Sequence, residues 1–406
     1  MISATQQAHI RSIHPFPARM APSIVWDALP NSNKALRVLD PMSGSGTTLV
    51  CAKAKGHHAI GCDTDPLALL IARSWCTDVD PRKLKQRGTF VLVQAKKLAE
   101  KTSFYKGYPD NSDEETERFI DFWFDAESRR QLAALARCIS GIRCENDRTL
   151  LWCAFSRLII TKNAGVSLAR DISHSRPHKA YDRAVIQPFD KFSKSVEYVA
   201  DSCPFICGSE NGLSANIRYG DARNLPIETE AVDMIITSPP YLNAIDYLRG
   251  HKFSLVWMGH NISELRRIRS RNIGTEVSGQ EHGSCIVVEA MKAMGNIGSL
   301  DNRRFGMVRR YTCDMNKVIK ECRRVLKRHG RAIFVIGDSS IYGVFIRNSE
   351  GLIKIAESHG LSLVSKTRRA IEDNKRYLPP PSFHKAGTKM QRRIRYEVIL
   401  TFERLE

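Results

Sequence analysis

The stretch ALRVLDPMSGSGTTLVCAKAKGHHAIGCDTDP, residues 35–66, decides the fold. ALRVLD is a short apolar run ending in an acid, MSGSG breaks it, and TTLVCAKAKG carries helical spacing up to a stopping glycine. HAIGCDTDP then supplies a second short strand that again closes on acids. Strand, glycine loop, helix and strand make the βαβ unit of a parallel sheet, since parallel neighbours need a crossover between them.

Outward from this unit the pattern changes and then returns. Between residues 80 and about 215, segments such as ERFIDFWFDAESRRQLAALARCI and RTLLWCAFSRLIITK place apolar residues at helical intervals. From NIRYGDARNLP, starting at 216, the βα alternation resumes with VDMIITS as a strand and an amphipathic helix near 308–328. RAIFVIGDS follows as a strand after His329-Gly330, then the helix GLIKIAESHG and strands in LSLVSKTRRAI and RYEVILTF. The expected architecture is a doubly wound α/β domain formed by 1–79 and 216–406, interrupted by a mainly helical insertion, 80–215.

With 62 Lys+Arg against 43 Asp+Glu, the net charge of +19 favours an anionic partner, nucleic acid before membrane. No apolar stretch reaches the ~20 residues that span a bilayer, so no membrane partner is expected. The 11 cysteines are scattered and odd in number, which fits reduced thiols and a cytoplasmic protein rather than a disulfide framework. Cys203 and Cys207 form a close pair, but no second pair completes a zinc site, and no metal is expected.

The glycine loop DPMSGSGTT, residues 40–48, brings backbone N–H groups close to a ligand. It lacks the lysine of a phosphate loop, and Leu49 stands where a dinucleotide fingerprint needs its third glycine. What remains is a series of acids at successive strand ends: Asp40, Asp63 in GCDTDP and Asp221 in YGDARNLP. Carboxylates repel polyphosphates and can accept ribose hydroxyls, so the ligand read from them is adenosyl and positively charged.

DPMSGSGTT, GCDTDP, GDARNLP and TSPPY in this order resemble the S-adenosylmethionine-dependent amino-methyltransferases of DNA. HPFPARMAPSIV, residues 14–25, resembles the cofactor-side motif at the family's N-terminus, and RRVLKRHGRAIFVIGDS its fifth-strand region. The resemblance covers roughly 8–78 and 216–402 and is weak over the insertion. It implies a mostly parallel seven-stranded sheet with an antiparallel last strand, and S-adenosyl-L-methionine as cofactor. It also implies cofactor contacts from Phe16, Asp40, Pro41, Ser43, Gly44, Gly46, Thr47, Thr48, Asp63, Asp221 and Ala222. The family usually has an aromatic residue where Met42 stands, and Phe16 is the candidate to replace it.

In this setting TSPPY, residues 237–241, reads as chemistry. An exocyclic amine is a poor nucleophile because its lone pair is conjugated into the ring, and it needs acceptors for its protons as it attacks. Ser238 and the carbonyl of Pro239, stiffened by Pro240, supply them, and Tyr241 offers a stacking face to an extruded base. A strong general base is absent, so direct in-line transfer by positioning is expected. The cytosine-C5 enzymes need a Pro-Cys nucleophile here, which this sequence lacks. In the family, Ser-Pro-Pro-Tyr resembles the cytosine-N4 enzymes; the alternatives are an adenine-N6 enzyme of DNA, an amino-methyltransferase of RNA, and a non-catalytic nucleic-acid-binding protein on the same scaffold.

Basic residues concentrate at 264–272, at 303–331 and at 366–395. SLARDISHSRPH (167–178), with Arg170, His174 and Arg176, and NKRYLPPPS (374–382), with Lys375, Arg376 and Tyr377, resemble DNA-facing loops of the family. Arg249, just past the tetrapeptide, joins them as a candidate contact to double-stranded DNA, and the insertion is the candidate target-recognition region. The resemblance leaves room for a companion restriction endonuclease.

Overall fold

The computed structural model describes residues 10–17, 19–31, 34–101, 107–205, 213–242, 246–273, 284–371 and 396–405. After α1 (Pro22–Ala28), the quoted stretch folds as β1 (Arg37–Asp40), α2 (Thr47–Ala54), β2 (His58–Asp63) and α3 (Pro66–Cys76). Five helices follow: α4 (Pro81–Ala99), α5 (Glu114–Trp123), α6 (Ala126–Ser140), α7 (Glu145–Ile159) and α8 (Pro188–Ser202). Between α7 and α8 a two-stranded ribbon pairs Ala169–Arg170 with His178–Lys179. The sheet resumes with β3 (Ala215–Tyr219) and β4 (Val232–Thr237), followed by α9 (Leu248–Leu255), α10 (Ile262–Ser270), α11 (Cys285–Ala293) and α12 (Asn302–Val325). It closes with β5 (Leu326–Gly337), α13 (Asn348–Ser358), β6 (Leu361–Ala370) and β7 (Tyr396–Arg404).

The seven strands lie in the order β6-β7-β5-β4-β1-β2-β3. β7 runs antiparallel to both β5 and β6, and the other pairings are parallel. This is the doubly wound, mostly parallel seven-stranded sheet with an antiparallel last strand that the sequence resemblance implies.

Successive side chains of a strand point to opposite faces, and the two halves of the core follow that rule. Val38 of β1, Met234 and Ile236 of β4, and Ile333 and Val335 of β5 pack with α2, α3, α9 and the helices α4–α8. Their neighbours Leu39, Ile235, Phe334 and Ile336 pack with α11, α12 and α13. Central strands buried on both faces read as near-continuous apolar runs, as VDMIIT does apart from Asp233. The helices α4–α8 thus share one apolar cluster with the first face of the sheet.

One boundary differs from the sequence reading. The helix ends at Val325 and β5 begins at Leu326, upstream of His329-Gly330. The register to β4 jumps from Val232↔Leu326 to Met234↔Arg331, and His329 takes φ +57°. The residues read as a break are accommodated as a bulge within the strand.

Candidate active site

The strand order reverses between β1 and β4, the place where open α/β sheets leave a crevice at the carboxyl ends of their strands. A cavity of about 560 Å³ opens there, in the size range of small-molecule sites.

Its inner wall is the glycine loop. The Ser43 N–H donates to the Cys62 carbonyl (2.9 Å) and the Gly46 N–H to that of Ser43 (2.8 Å), which curls the loop over the end of β2. Gly44 and Gly46 adopt φ of +48° and +90°. At Gly46 an added Cβ would also fall 2.9 Å from the Cβ of Ala72 on α3, so the loop needs glycine there on two counts. Phe16 lies over Gly44 and stacks on Tyr247, with ring centroids 5.4 Å apart. Behind them the ring of His251 sits 5.1 Å from that of Phe16, and its Nδ1 lies 2.5 Å from Asp65 Oδ2. Asp65 also caps α3 by accepting from the Leu67 N–H, so one carboxylate pins α9 to α3.

The three acids stand in different states. Asp40 is 3 % exposed and accepts from the Thr237 hydroxyl (2.7 Å), which ties the glycine loop to the tetrapeptide. Burial raises its pKa to about 6. Asp63 accepts from the Gly44 N–H (2.8 Å) and the Asp65 N–H (2.9 Å). Burial, followed by the nearby Asp65 carboxylate, raises it to about 7. Asp221 is also pushed up by burial, but the hydrogen bonds and charge of Arg223 outweigh this and hold it below the ordinary range. Arg223 bridges Asp221 (2.7 Å) and Asp314 (2.8 Å). Among the described residues neither Asp40 nor Asp63 forms an ion pair, so a cationic ligand with hydroxyl donors fits them, and Asp221 is already neutralised.

Ser238, Pro240 and Tyr241 line the opposite wall where β4 ends, with Pro239 buried behind them. The Ser238 hydroxyl donates to Tyr241 Oη (3.5 Å), and the phenol donates to Glu397 Oε1 (3.3 Å). The mouth is basic: Arg249 on α9 and Arg266, Arg269 and Arg271 on or beside α10 line it. Asp246 anchors Arg269 (2.7 Å) and reaches Arg249 (3.8 Å), and Glu115 of α5 pairs with Arg266. The starts of α5 and α10 interlock, since Thr116 Oγ1 donates to Asn261 Oδ1 (3.3 Å) and accepts from the Ile262 N–H (3.0 Å).

Of the residues read from the sequence, the cavity brings together Phe16, Asp40, Pro41, Ser43, Gly44 and Thr47 with Asp63, Asp221 and Ala222. Ser238, Pro240, Tyr241 and Arg249 join them from the far side. Thr48 is fully buried and donates to the Ile236 carbonyl (3.2 Å), so its side chain faces the sheet, while Gly46 packs on α3. Met42 lines the cavity and Phe16 supplies the aromatic face beside it. Arg170 is exposed on the ribbon and Arg176 in the segment joining its strands, and His174 faces Asp171 at 3.4 Å. Their loop abuts the site: the Ser175 hydroxyl donates to the Tyr247 carbonyl (3.3 Å), and a Cβ on Gly250 would strike the Ile172 carbonyl at 2.5 Å. Lys375, Arg376 and Tyr377, like Cys207, lie outside the described residues. The described residues contain no cluster of His, Cys, Asp and Glu suited to a metal, and no helix long and apolar enough to cross a membrane. Sequence reading missed Asp65, His251 and Glu397; of these only Asp65 carries a local signal, as a cap ahead of Pro66.

No protein-family model matches the chain. The Type II methyltransferase M.MvaI of Kocuria varians is 23% identical over 363 residues, spanning 81% of this chain and 76% of that protein. The Type II methyltransferase M.AvaI of Nostoc sp. is 25% identical over 374 residues, spanning 80% and 73%. Among solved structures, the TehB-like SAM-dependent methyltransferase of Corynebacterium glutamicum covers 98% of this chain and 92% of its own at 10% identity. Its TM-score of 0.30 is too loose to carry weight beside the strand order. Over most of its length, then, the chain is similar to Type II methyltransferases, and its strand order and the joined motifs of the cavity agree with that similarity.

Proposed function

We propose that the protein methylates the exocyclic N4 amine of cytosine in double-stranded DNA, with S-adenosylmethionine as cofactor. The observation that carries this reading is the placement of Ser238 across one cavity from the glycine loop and Asp63, with Thr237 bonded to Asp40 between them. The cofactor would supply an electrophilic methyl group on a sulfonium, whose sulfur leaves as a neutral thioether. Asp63 is the acceptor for the ribose hydroxyls, the loop N–H groups and Phe16 hold the adenosyl portion, and Ser43 and Thr47 complete the wall.

On the other side, Ser238 Oγ and the Pro239 carbonyl accept the two amine hydrogens, which leaves the nitrogen lone pair directed into the cavity. Tyr241, rigid behind Pro239-Pro240, gives the base a face. The walls fix both partners and exclude water, so catalysis rests on alignment. The arginines at the mouth suit phosphates flanking an extruded nucleotide, and salt sensitivity follows from them. The helical block 80–215 is the proposed target-recognition region, supported by the interlock of α5 with α10. A companion endonuclease of the same site specificity, in the same cytoplasm, belongs to the proposal.

Incubation with labelled methyl donor and duplex DNA, followed by nucleoside analysis, tests it. Label in N4-methylcytosine is the expected result; label only in N6-methyladenine would transfer the same geometry to adenine, and label in neither would overturn the reading.

A further inference from the structure

Methylation of a neutral amine releases a proton, and the cavity wall shows a path for it. We propose that Glu397 is the terminal acceptor of a proton relay that runs from the substrate amine through Ser238 and Tyr241. The inference rests on the amine-methylating reading of the site. Its geometric basis is the direction of the two hydrogen bonds: Ser238 donates to Tyr241, and Tyr241 donates to Glu397. As the N–CH3 bond forms and the methyl–sulfur bond breaks, the nitrogen becomes positive. Its excess proton passes to Ser238 Oγ, the serine proton to Tyr241 Oη and the phenol proton to Glu397 Oε1. Amine, serine and tyrosine end neutral, and the carboxylate becomes a carboxylic acid.

Glu397 is placed for that role and for little else. Its side chain is 13 % exposed, although it sits at the start of a strand, and Tyr241 stands between it and the cavity. Its cross-strand neighbours are Arg369 on β6 and Gly337 on β5. Among the described residues the ionisable groups facing it are therefore Arg369, with Nη1 3.4 Å from Oε2, and Tyr241. Burial raises the carboxyl above its ordinary value, and Arg369 opposes this without cancelling it. A carboxylate so balanced can stay ionised at rest and still take a proton. Burial holds the Tyr241 phenol in its protonated form, so it can take up a proton only by passing its own on to Glu397.

The test compares the unaltered protein with Glu397→Gln, Tyr241→Phe and the double variant, on duplex DNA with saturating cofactor. Each single variant is expected to lower the single-turnover rate by about 100-fold, with cofactor affinity within about twofold. The double variant should lose no more than either single one, because the relay acts as a unit. The acidic limb of the wild-type pH–rate profile should vanish in Glu397→Gln, which can accept a hydrogen bond but not a proton. Independently of turnover, a carbon-13 carboxyl titration of glutamate-labelled protein should show one group above the ordinary range, absent from Glu397→Gln. Unchanged rates and profile in the variants, additive losses, or a Glu397 carboxyl with an ordinary titration would overturn the relay. If the unaltered protein methylates no amine in DNA, the functional reading falls first and takes the relay with it.

Discussion

The two walls of the cavity are built in opposite ways. On the proposed reading, the cofactor wall comes from residues 40–65, a short continuous segment in which loop, helix and strand ends are fixed by backbone bonds and a glycine with no room for a side chain. The substrate wall is assembled from distant segments: Ser238 and Tyr241 after β4, Glu397 on β7, and arginines on α9 and α10 held by acids from elsewhere. A local wall binds a ligand by its own geometry, whereas an assembled wall acts only when several elements have docked. The first should therefore govern cofactor affinity and the second turnover and DNA binding.

The largest expected effect is on the substrate wall. Ser238→Ala should slow methyl transfer by about 100-fold while leaving cofactor affinity within about twofold, as read by single-turnover kinetics and calorimetry. Equal loss of both would break the division between the walls. On the cofactor side, Asp63→Ala should weaken cofactor binding by about 30-fold, roughly 2 kcal/mol for hydrogen bonds to a charged acceptor, with a smaller change in the rate at saturation.

A pH titration sharpens the same comparison. Asp63 titrates near 7, and only its ionised form offers full charge to a cationic ligand. Cofactor affinity should therefore rise with pH through that value and fall below it, approaching about tenfold per pH unit for one linked proton. Asp63→Asn should flatten the dependence. The smallest effect is expected at the mouth: Arg269→Ala should weaken DNA binding several-fold and reduce the slope of log affinity against log salt by about 1, without altering cofactor binding.

The same contrast explains what was legible in the sequence. Asp40, Gly44, Gly46 and Asp63 announce themselves because a strand end, a glycine loop and the next strand end lie within one short segment, and TSPPY breaks a strand where no ladder can continue. The seven strands with an antiparallel last one were implied by the family resemblance, whereas their order became visible only in the structure. Glu397 gave no sign, since RYEVILTF reads as an ordinary closing strand and only the pairing of β7 with β5 and β6 brings its acid behind Tyr241. His251 and Asp65 are likewise 186 positions apart and meet only through packing. Asp221 was visible, but its neutralisation by Arg223 and Asp314 was not, because a charge state depends on partners that spacing does not reveal. Lys375, Arg376 and Tyr377 lie outside the described residues and stay with the sequence reading.

The insertion of β7 between β5 and β6 has a consequence in time as well as space. β6 precedes β7 along the chain, yet among the described residues its only neighbour in the sheet is β7, so its place in the sheet stays open until residues 396–404 arrive. Contacts of such long sequence separation with β5 form late, after loop closure has been overcome. A growing chain would hold the cofactor crevice before it holds Glu397, which makes ligand capture an early competence of folding and proton disposal a late one.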